Sequence, residues 1–182
     1  MHKSIVIGAL SGAFLLATAA GAAEQAAKPT DPQIAHIAYT ADQLDIEAGK
    51  QALDKSKNKD VRAFAQRMVG DHTAVNDQAL ALVKKLKVTP EDNATSQNLT
   101  KQADATRKKL AGLSGTAFDK AYIDNEVTYH RTVNTALSDT LIPDAQNPEL
   151  KALLQSGLGV FQAHQKHAEQ IASQLQSASA TR

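Results

Sequence analysis

The sequence predicts an all-α fold: a bundle of four long helices, with a long crossover that carries a short extra helix between the second and third. Three observations indicate it. Apolar side chains recur at alternating steps of four and three residues in two long stretches, which is the seam of a helix packed in a bundle. Ala and Leu carry much of the apolar content, aromatic residues make up only 4% and Trp is absent, which favours helices over sheets. Gly and Pro fall mainly between these stretches.

The first two long helices are separated by a short break. Thr30 or Asp31 caps the first helix, and Pro32 stands at its first helical position, where a missing N–H does no harm. This helix ends at residues 56–59. Because the break is short, the second helix, residues 60–86, is expected to be the antiparallel neighbour of the first. Its seam consists of Val61, Ala65, Met68, His72, Val75, Ala79, Leu82 and Leu86.

The second half of the chain begins with a loop at residues 87–96 and a polar, Lys-rich surface helix at 97–113, which crosses the end or side of the bundle. The third long helix spans about 116–141. Asn147 caps the fourth, whose seam consists of Leu150, Leu154, Gly157, Phe161, His164, Ala168, Ile171 and Leu175. Connections that are short, long and short are those of a ferritin-like bundle. The bundle therefore spans 31–176, and the polar tail 177–182 is expected to be disordered.

The N-terminus resembles an export signal. Lys3 precedes a short apolar run at residues 5–16 and small residues at 17–23, so residues 1–23 are predicted to be a secretory signal peptide and 24–30 a flexible leader. An uncleaved N-terminal anchor is the alternative. The expected location is the periplasm or cell envelope. No segment of the mature chain is apolar enough to cross a membrane.

Charge and composition exclude several functions. Removing Lys3 from the 20 basic side chains leaves 19, equal to the 19 acidic ones, so the mature chain has no large field to attract nucleic acid or anionic lipid. There is no Cys, which excludes disulfides and thiolate chemistry. The sequence also has no nucleophile elbow and no Gly-rich phosphate loop. We therefore lean against an enzyme.

Polar side chains interrupt the apolar faces of all four long helices near their midpoints. Each lies within about 5 Å of its helix centre, so bundled helices of equal length bring them to one level. An unpartnered buried polar group costs several kcal/mol, to order of magnitude, so these groups need partners or a metal ion. We name this set the polar layer; its members are Asp45, His72, Glu126, His130 and His164.

Two interpretations of the polar layer remain open. Three imidazoles with a carboxylate suit a single transition-metal ion, either Zn, Cu, Fe or Mn. Alternatively, a hydrogen-bonded network of His and carboxylate groups fixes the register of an otherwise uniform core and binds no cofactor. A di-iron carboxylate site needs Glu-x-x-His on two helices, and neither His72, His130 nor His164 has a Glu three residues before it. That site is not expected.

Five further residues are weaker candidates. Glu47 lies on the flank of the first helix, and Met68 on the seam is more often core filler than a ligand. Asp71 is expected to orient or cap a neighbour rather than bind metal. His36 and His167 are expected at the surface.

The chain also resembles a family of exported bacterial proteins known mainly as a ferritin-like domain of unknown function and often labelled outer-membrane proteins. The resemblance covers residues 31–175. It implies a ferritin-like bundle in the periplasm or cell envelope and no established activity. Its acid falls on Asp45 and its histidines on His72, His130 and His164; where relatives often have Pro, this chain has Gly159. The segments that carry it are residues 45–50, 64–72 and 113–122, with His130 and His164.

The sequence thus predicts an exported helical bundle of uncharacterised role whose polar layer binds a transition-metal ion. The alternative is a structural or stress-related envelope module in which the layer only fixes packing. Homo-oligomerisation and protein partners stay open.

Overall fold

The protein is described here from a computed structural model that covers residues 28–180. The expected signal peptide, residues 1–23, and most of the leader lie outside this range. All the regular structure between 28 and 180 is helical, so the all-α prediction is confirmed. The helices are α1 (Asp31–Lys55), α2 (Lys59–Leu86), α3 (Ala94–Ala111), α4 (Gly115–Ala136), α5 (Ile142–Asp144) and α6 (Pro148–Ala180), with a π-helical turn (Leu137–Leu141) between α4 and α5.

Local capping chemistry sets where α1 and α2 begin and end. Thr30 is the N-cap of α1: its hydroxyl accepts from the Gln33 N–H, and the Gln33 side chain accepts from the Thr30 N–H. Asn58 caps α2, which ends at Lys87 in the left-handed conformation (φ 56°). Asp31, the other predicted cap, instead accepts from the backbone N–H groups of residues 146 and 147 at 2.8 Å each. This contact fastens the start of α1 to the start of α6.

The four long helices α1, α2, α4 and α6 pack against one another. Contacts between Asp42 and His72 and between Arg62 and the carbonyl of Leu53 show that α1 and α2 are antiparallel. The pairs Asn134–Gln165 and Arg131–Glu169 show the same for α4 and α6. Helix α1 is also antiparallel to α4, as the contacts Ser56–Asp119 and Ala41–Tyr129 show. Helix α2 is antiparallel to α6, as the contacts Asp71–His164 and Lys85–Glu149 show. It follows that α2 and α4 run in the same direction.

Since α2 and α4 are parallel, the chain between them must travel the length of the bundle. Helix α3 does this, lying along the side of α1 in the same direction. Asn93 contacts the carbonyl of Gln33 near one end, and Lys55 contacts the carbonyl of Ala111 at the other. The predicted surface helix therefore exists and lies along the side of the bundle, beginning three residues earlier than expected.

The structure differs from the predicted elements at two places near the chain's end. The third long helix does not run unbroken to residue 141, because the π-helical turn replaces its last turn and Pro143 follows in α5. The tail expected to be disordered from residue 177 is still helical as far as Ala180. Periodicity alone shows neither feature, since a π turn inserts one residue without changing composition.

Two apolar clusters lie on either side of the polar layer. One contains Phe64, Met68 and Tyr122, and the other contains Ile34, Leu154 and Phe161. All predicted seam positions of α6 from Leu150 to Ile171 are buried. In α2 only the first half of the seam is buried; the list of half-buried positions beyond His72 is Val75, Ala79, Leu82 and Leu86. The bundle is therefore closed at one end and looser at the other.

Helices α1 and α2 approach each other closely at Gly49. A Cβ atom there would meet Val69 Cγ2 at 3.0 Å and the carbonyl oxygen of Ala65 at 3.1 Å. The backbone oxygen cannot rotate away, so Gly49→Ala is expected to lower the free energy of unfolding by about 1–3 kcal/mol. Urea unfolding measures the difference. The matched control is Gly70→Ala on the outer face of α2, where a Cβ meets nothing within 4 Å and a gain of about 0.5–1 kcal/mol is expected. Equal effects of the two substitutions would contradict the close approach.

Among residues 28–180, none of the helices combines the length and the hydropathy needed to cross a membrane.

Candidate metal centre

The structure brings all five members of the polar layer together in the middle of the bundle. Asp45 comes from α1, His72 from α2, Glu126 and His130 from α4 and His164 from α6, and each residue is at most 2% exposed. One ligand atom from each of the three histidines lies within 4.8 Å of the others. The same holds for Asp45, Glu126 and His130. The helical periodicity places each side chain inward, and the antiparallel packing brings them to one level.

Each of the three imidazoles donates one ring N–H to a fixed oxygen. His72 Nδ1 donates to Asp42 Oδ1 at 2.6 Å, and His164 Nε2 donates to Asp71 Oδ2 at 2.9 Å. His130 Nδ1 donates to the backbone carbonyl of Glu126 at 3.0 Å. Because a carbonyl and a carboxylate only accept, these contacts determine which nitrogen carries the hydrogen. Metal-binding histidines in proteins are oriented by such partners.

The other nitrogen of each ring has no directed hydrogen bond. These atoms are His72 Nε2, His130 Nε2 and His164 Nδ1. Neither carboxylate oxygen of Asp45 accepts a directed hydrogen bond. Asp45 Oδ2 lies 2.6 Å from His72 Nε2 and 3.4 Å from His130 Nε2, in ion-pair contact but outside hydrogen-bond alignment. Buried polar atoms without partners are rare, and several of them together in one place indicate a site for a ligand.

His72 lies between two carboxylates. Burial alone would lower the pKa of its imidazole, but Asp45 and Asp42 outweigh this and raise the pKa to about 10. In return, although burial opposes ionisation, His72 and His130 hold the pKa of Asp45 below its ordinary range. At neutral pH His72 is therefore a cation and Asp45 an anion.

The two other histidines of the polar layer are neutral at pH 7, and Glu126 is shifted toward its protonated form. Burial lowers the pKa of His130, and it lowers the pKa of His164 to about 4. Burial, reinforced by the charge of Asp45, raises the pKa of Glu126 well above its ordinary value. Neutral imidazoles present a free lone pair, which is the form that binds metal ions.

Chemically, the polar layer offers three imidazole nitrogens and a carboxylate oxygen. This donor set suits Zn, Cu, Fe or Mn and lacks the thiolates that soft ions prefer. A cation bound beside Asp45 would displace the proton from His72, since the two compete for the same nitrogen. Glu126 could then ionise and act as a further ligand or as a hydrogen-bond acceptor.

The weaker candidates lie outside the centre. Glu47 forms an ion pair with Arg107 of α3. Met68 is buried in the apolar cluster that contains Phe64. His167 is half-buried against the Phe64 ring, with centroids 5.4 Å apart, and His36 is 3.8 Å from a carboxylate oxygen on the neighbouring loop. Neither histidine is as exposed as we expected.

Two carboxylates support the polar layer from outside it. Asp71 orients His164, the role expected for it, with 47% of its own side chain exposed. Asp42, which binds His72, is absent from the sequence-derived candidates. It precedes Asp45 by three residues, and residues three apart lie on one face of a helix. That spacing could have identified Asp42 as a neighbour of Asp45. Asp42 was not chosen because it lies at the edge of the apolar stripe.

Two cavities border the polar layer. The smaller, about 230 Å³, lies between α1, α3 and α4, and its lining includes Asp45, Glu126 and Ala103. The larger, about 690 Å³, is lined by residues of the loose end of the bundle and includes Asp42 and Phe161. We call them the small and the large cavity. The Phe161 ring also stacks on His72, with centroids 4.7 Å apart and planes 11° from parallel.

The profile of one protein family, the domain of unknown function DUF4142, matches residues 16–171 of this sequence. The chain belongs to the DUF4142 family. The expectation of a family of unknown function is thus confirmed, whereas the match carries neither the ferritin-like nor the outer-membrane label. No curated protein matches the sequence of this DUF4142 chain.

Two solved structures are similar in fold to the DUF4142 chain. One is a protein described as secreted, DUF305, from Streptomyces coelicolor, with 13% identity and a TM-score of 0.67 over 79% of this chain and 91% of that one. The other is CopM in the Cu(II)-bound form, with 14% identity and a TM-score of 0.62 over 81% of this chain and 99% of that one. At such low identity the similarity shows the fold alone.

Proposed function

We propose that this DUF4142 protein is an exported helical bundle that binds one transition-metal ion at the polar layer. His72, His130, His164 and Asp45 are the ligands, and Glu126 is a further ligand or a hydrogen-bond acceptor beside them. One observation carries the proposal. Each of three converging imidazoles has one nitrogen held by a hydrogen bond to an oxygen, while its other nitrogen makes no directed hydrogen bond; in His72 and His130 that second nitrogen is in ion-pair contact with Asp45. A network that existed only for packing would be expected to join these inner atoms by directed hydrogen bonds.

Copper is the first ion to test, with Zn, Fe and Mn beside it. The donor set of imidazoles and a carboxylate suits each of these ions. The similarity in fold to CopM in its Cu(II)-bound form gives copper priority. The role we propose is binding rather than catalysis, since the nucleophile and phosphate-loop motifs are missing from the sequence.

The proposal includes a ferritin-like connectivity and export from the cytoplasm. Parallel α2 and α4 joined by the crossover α3 support the first, because ferritin-like bundles have one long crossover. The N-terminal pattern supports the second, and so does the similarity to a structure described as secreted. No nucleic-acid partner is proposed, and an assembly of identical chains remains compatible with the fold.

The second candidate is a structural module whose polar layer only fixes packing. It is favoured by the close ion contacts of His72 with Asp42 and Asp45, 2.6 Å each, which form a charged cluster without any metal. Such a cluster would specify the register of α1 against α2. The two candidates differ in whether the protein takes up an ion.

Elemental mass spectrometry tests the proposal on protein exported to the periplasm, purified without a His-tag and exposed to Cu, Zn, Fe and Mn. We expect about one ion per chain in the wild type and none in His72→Ala/His164→Ala. The matched control is His36→Ala/His167→Ala, which removes two histidines outside the polar layer and should bind as the wild type does. A wild type that stays free of metal, while folded by circular dichroism, contradicts the proposal and favours the structural module.

A further inference from the structure

The loose end of the bundle encloses the large cavity. Residues of all six helices and of the π-helical turn line its volume of about 690 Å³. The α2 seam residues Val75, Ala79 and Leu82 line it, and this is why they are only half-buried. Ordinary bundle packing fills such space with side chains, since protein interiors are as dense as organic crystals. A volume of this size lies within the range of small-molecule binding sites, roughly 300–1,000 Å³.

The backbone is irregular at this cavity and regular elsewhere in the long helices. The π-helical turn contributes Leu137 and Leu141 to the lining, and α6 contributes Gly157. A π turn costs hydrogen-bond geometry and is found frequently at functional sites. Gly157 leaves room that a side chain would take, since a Cβ there would meet the Phe161 ring at 3.3 Å. Both features widen the bundle at one place.

The lining is apolar inside and polar at the mouth. Inside, it consists mainly of Ala, Val, Leu and Ile side chains. At the mouth stand Lys28, Gln33, Asn93 and Thr95, all of which carry hydrogen-bond donors. The acid at the mouth, Asp144, accepts from the Lys28 ammonium group at 2.7 Å. Such an arrangement suits a molecule with a long apolar body and an anionic head that shares the Lys28 ammonium group with Asp144.

We propose that the large cavity binds a long-chain fatty acid, with the alkyl chain along α2 and α6 and the carboxylate beside Lys28. The observations that support this site do not depend on whether the polar layer holds a metal ion. The alkyl chain gains by leaving water, at roughly 25 cal/mol per Å² of apolar surface, and the polar mouth fixes its direction.

A protein partner fits this region less well than a fatty acid. A docking surface for a second chain needs apolar side chains around its rim as well as a groove. Across the described part of the chain, Leu80 is the one large hydrophobic residue that is exposed, at 47%. The apolar area is therefore inside the cavity, where an alkyl chain reaches and a protein surface does not.

The test is a titration of the mature chain, cleared of lipid, with the fluorescent fatty acid cis-parinaric acid, whose emission rises in apolar surroundings. The protein has no Trp to interfere. We expect saturable binding of one molecule per chain, weakened at least tenfold by Ala79→Phe, which fills the large cavity. The matched control is Ala103→Phe, an equally half-buried alanine that lines the small cavity, and it should bind as the wild type does.

Thermal unfolding establishes that each variant is folded. If Ala79→Phe fails to fold, Leu82→Gln replaces it, because a polar side chain in the lining should also weaken binding. No saturable emission from the wild type would overturn the inference, and so would equal binding by the wild type and the variant. A wild-type dimer that Ala79→Phe converts to a monomer, without probe binding, would show that a second chain covers the cavity and would also overturn it.

Discussion

Asp45→Asn is expected to lower the free energy of unfolding of the metal-free protein by about 3–5 kcal/mol, the range measured when one partner of a buried ion pair is removed. The substitution preserves shape and removes one charge. The Asp45 side chain is fully buried and lies 2.6 Å from His72 Nε2, so the His72 cation keeps only Asp42 as a counter-ion. Urea unfolding in the presence of EDTA at pH 7 measures the loss.

The control for this substitution is Asp71→Asn. It makes the same chemical change at the other end of the polar layer, on a side chain that is 47% exposed and that contacts a neutral histidine. Its amide oxygen can still accept from His164, so we expect a loss below about 1 kcal/mol. Equal stability of Asp45→Asn and the wild type would show that Asp45 and His72 do not form a charged pair.

The metal-free protein is expected to lose about 3–5 kcal/mol of stability as the pH rises from 6.5 to 10. The pKa of His72 is about 10 in the folded chain and about 6.5 in the unfolded chain. The folded state therefore holds this proton more tightly, and the resulting stabilisation is complete below pH 6.5. It declines through the interval and is gone above pH 10.

Urea unfolding at several pH values, again with EDTA, measures this decline. His72→Gln should be much flatter over the same interval, because it removes the titrating ring. His36→Gln is the control, since it removes a histidine outside the polar layer and leaves the decline in place. A wild-type curve as flat as that of His72→Gln would mean that His72 is neutral in the folded protein.

Much of the fold could be predicted from sequence because the spacing of apolar residues along a helix shows which of its faces is buried. The steps of four and three through Val61 and His72, and through Leu150 and His164, gave the correct inward faces. The predicted caps Thr30 and Asn147 mark the starts of α1 and α6. The polar layer could be predicted because its residues lie near the midpoints of their helices, and helices of similar length that pack side by side align their centres.

What could not be predicted depends on distances between helices. The seam of α2 is periodic to Leu86, but its second half is only half-buried. Periodicity could not predict this, because it shows which way a side chain points and not how far apart neighbouring helices lie. Asp42 was missed for a related reason. It lies at the edge of the apolar stripe, and only the position of α2 shows that His72 reaches it. The π-helical turn has no compositional signature at all.

The position of Phe161 links the two proposed sites. Its ring lines the large cavity and stacks on His72, so a molecule that shifts the ring would also shift a proposed metal ligand. Coupling of this kind is reciprocal: if a fatty acid changes the affinity for an ion by some factor, the ion changes the affinity for the fatty acid by the same factor. A protein built in this way reports on the joint presence of two chemically unrelated molecules, as a coincidence detector does.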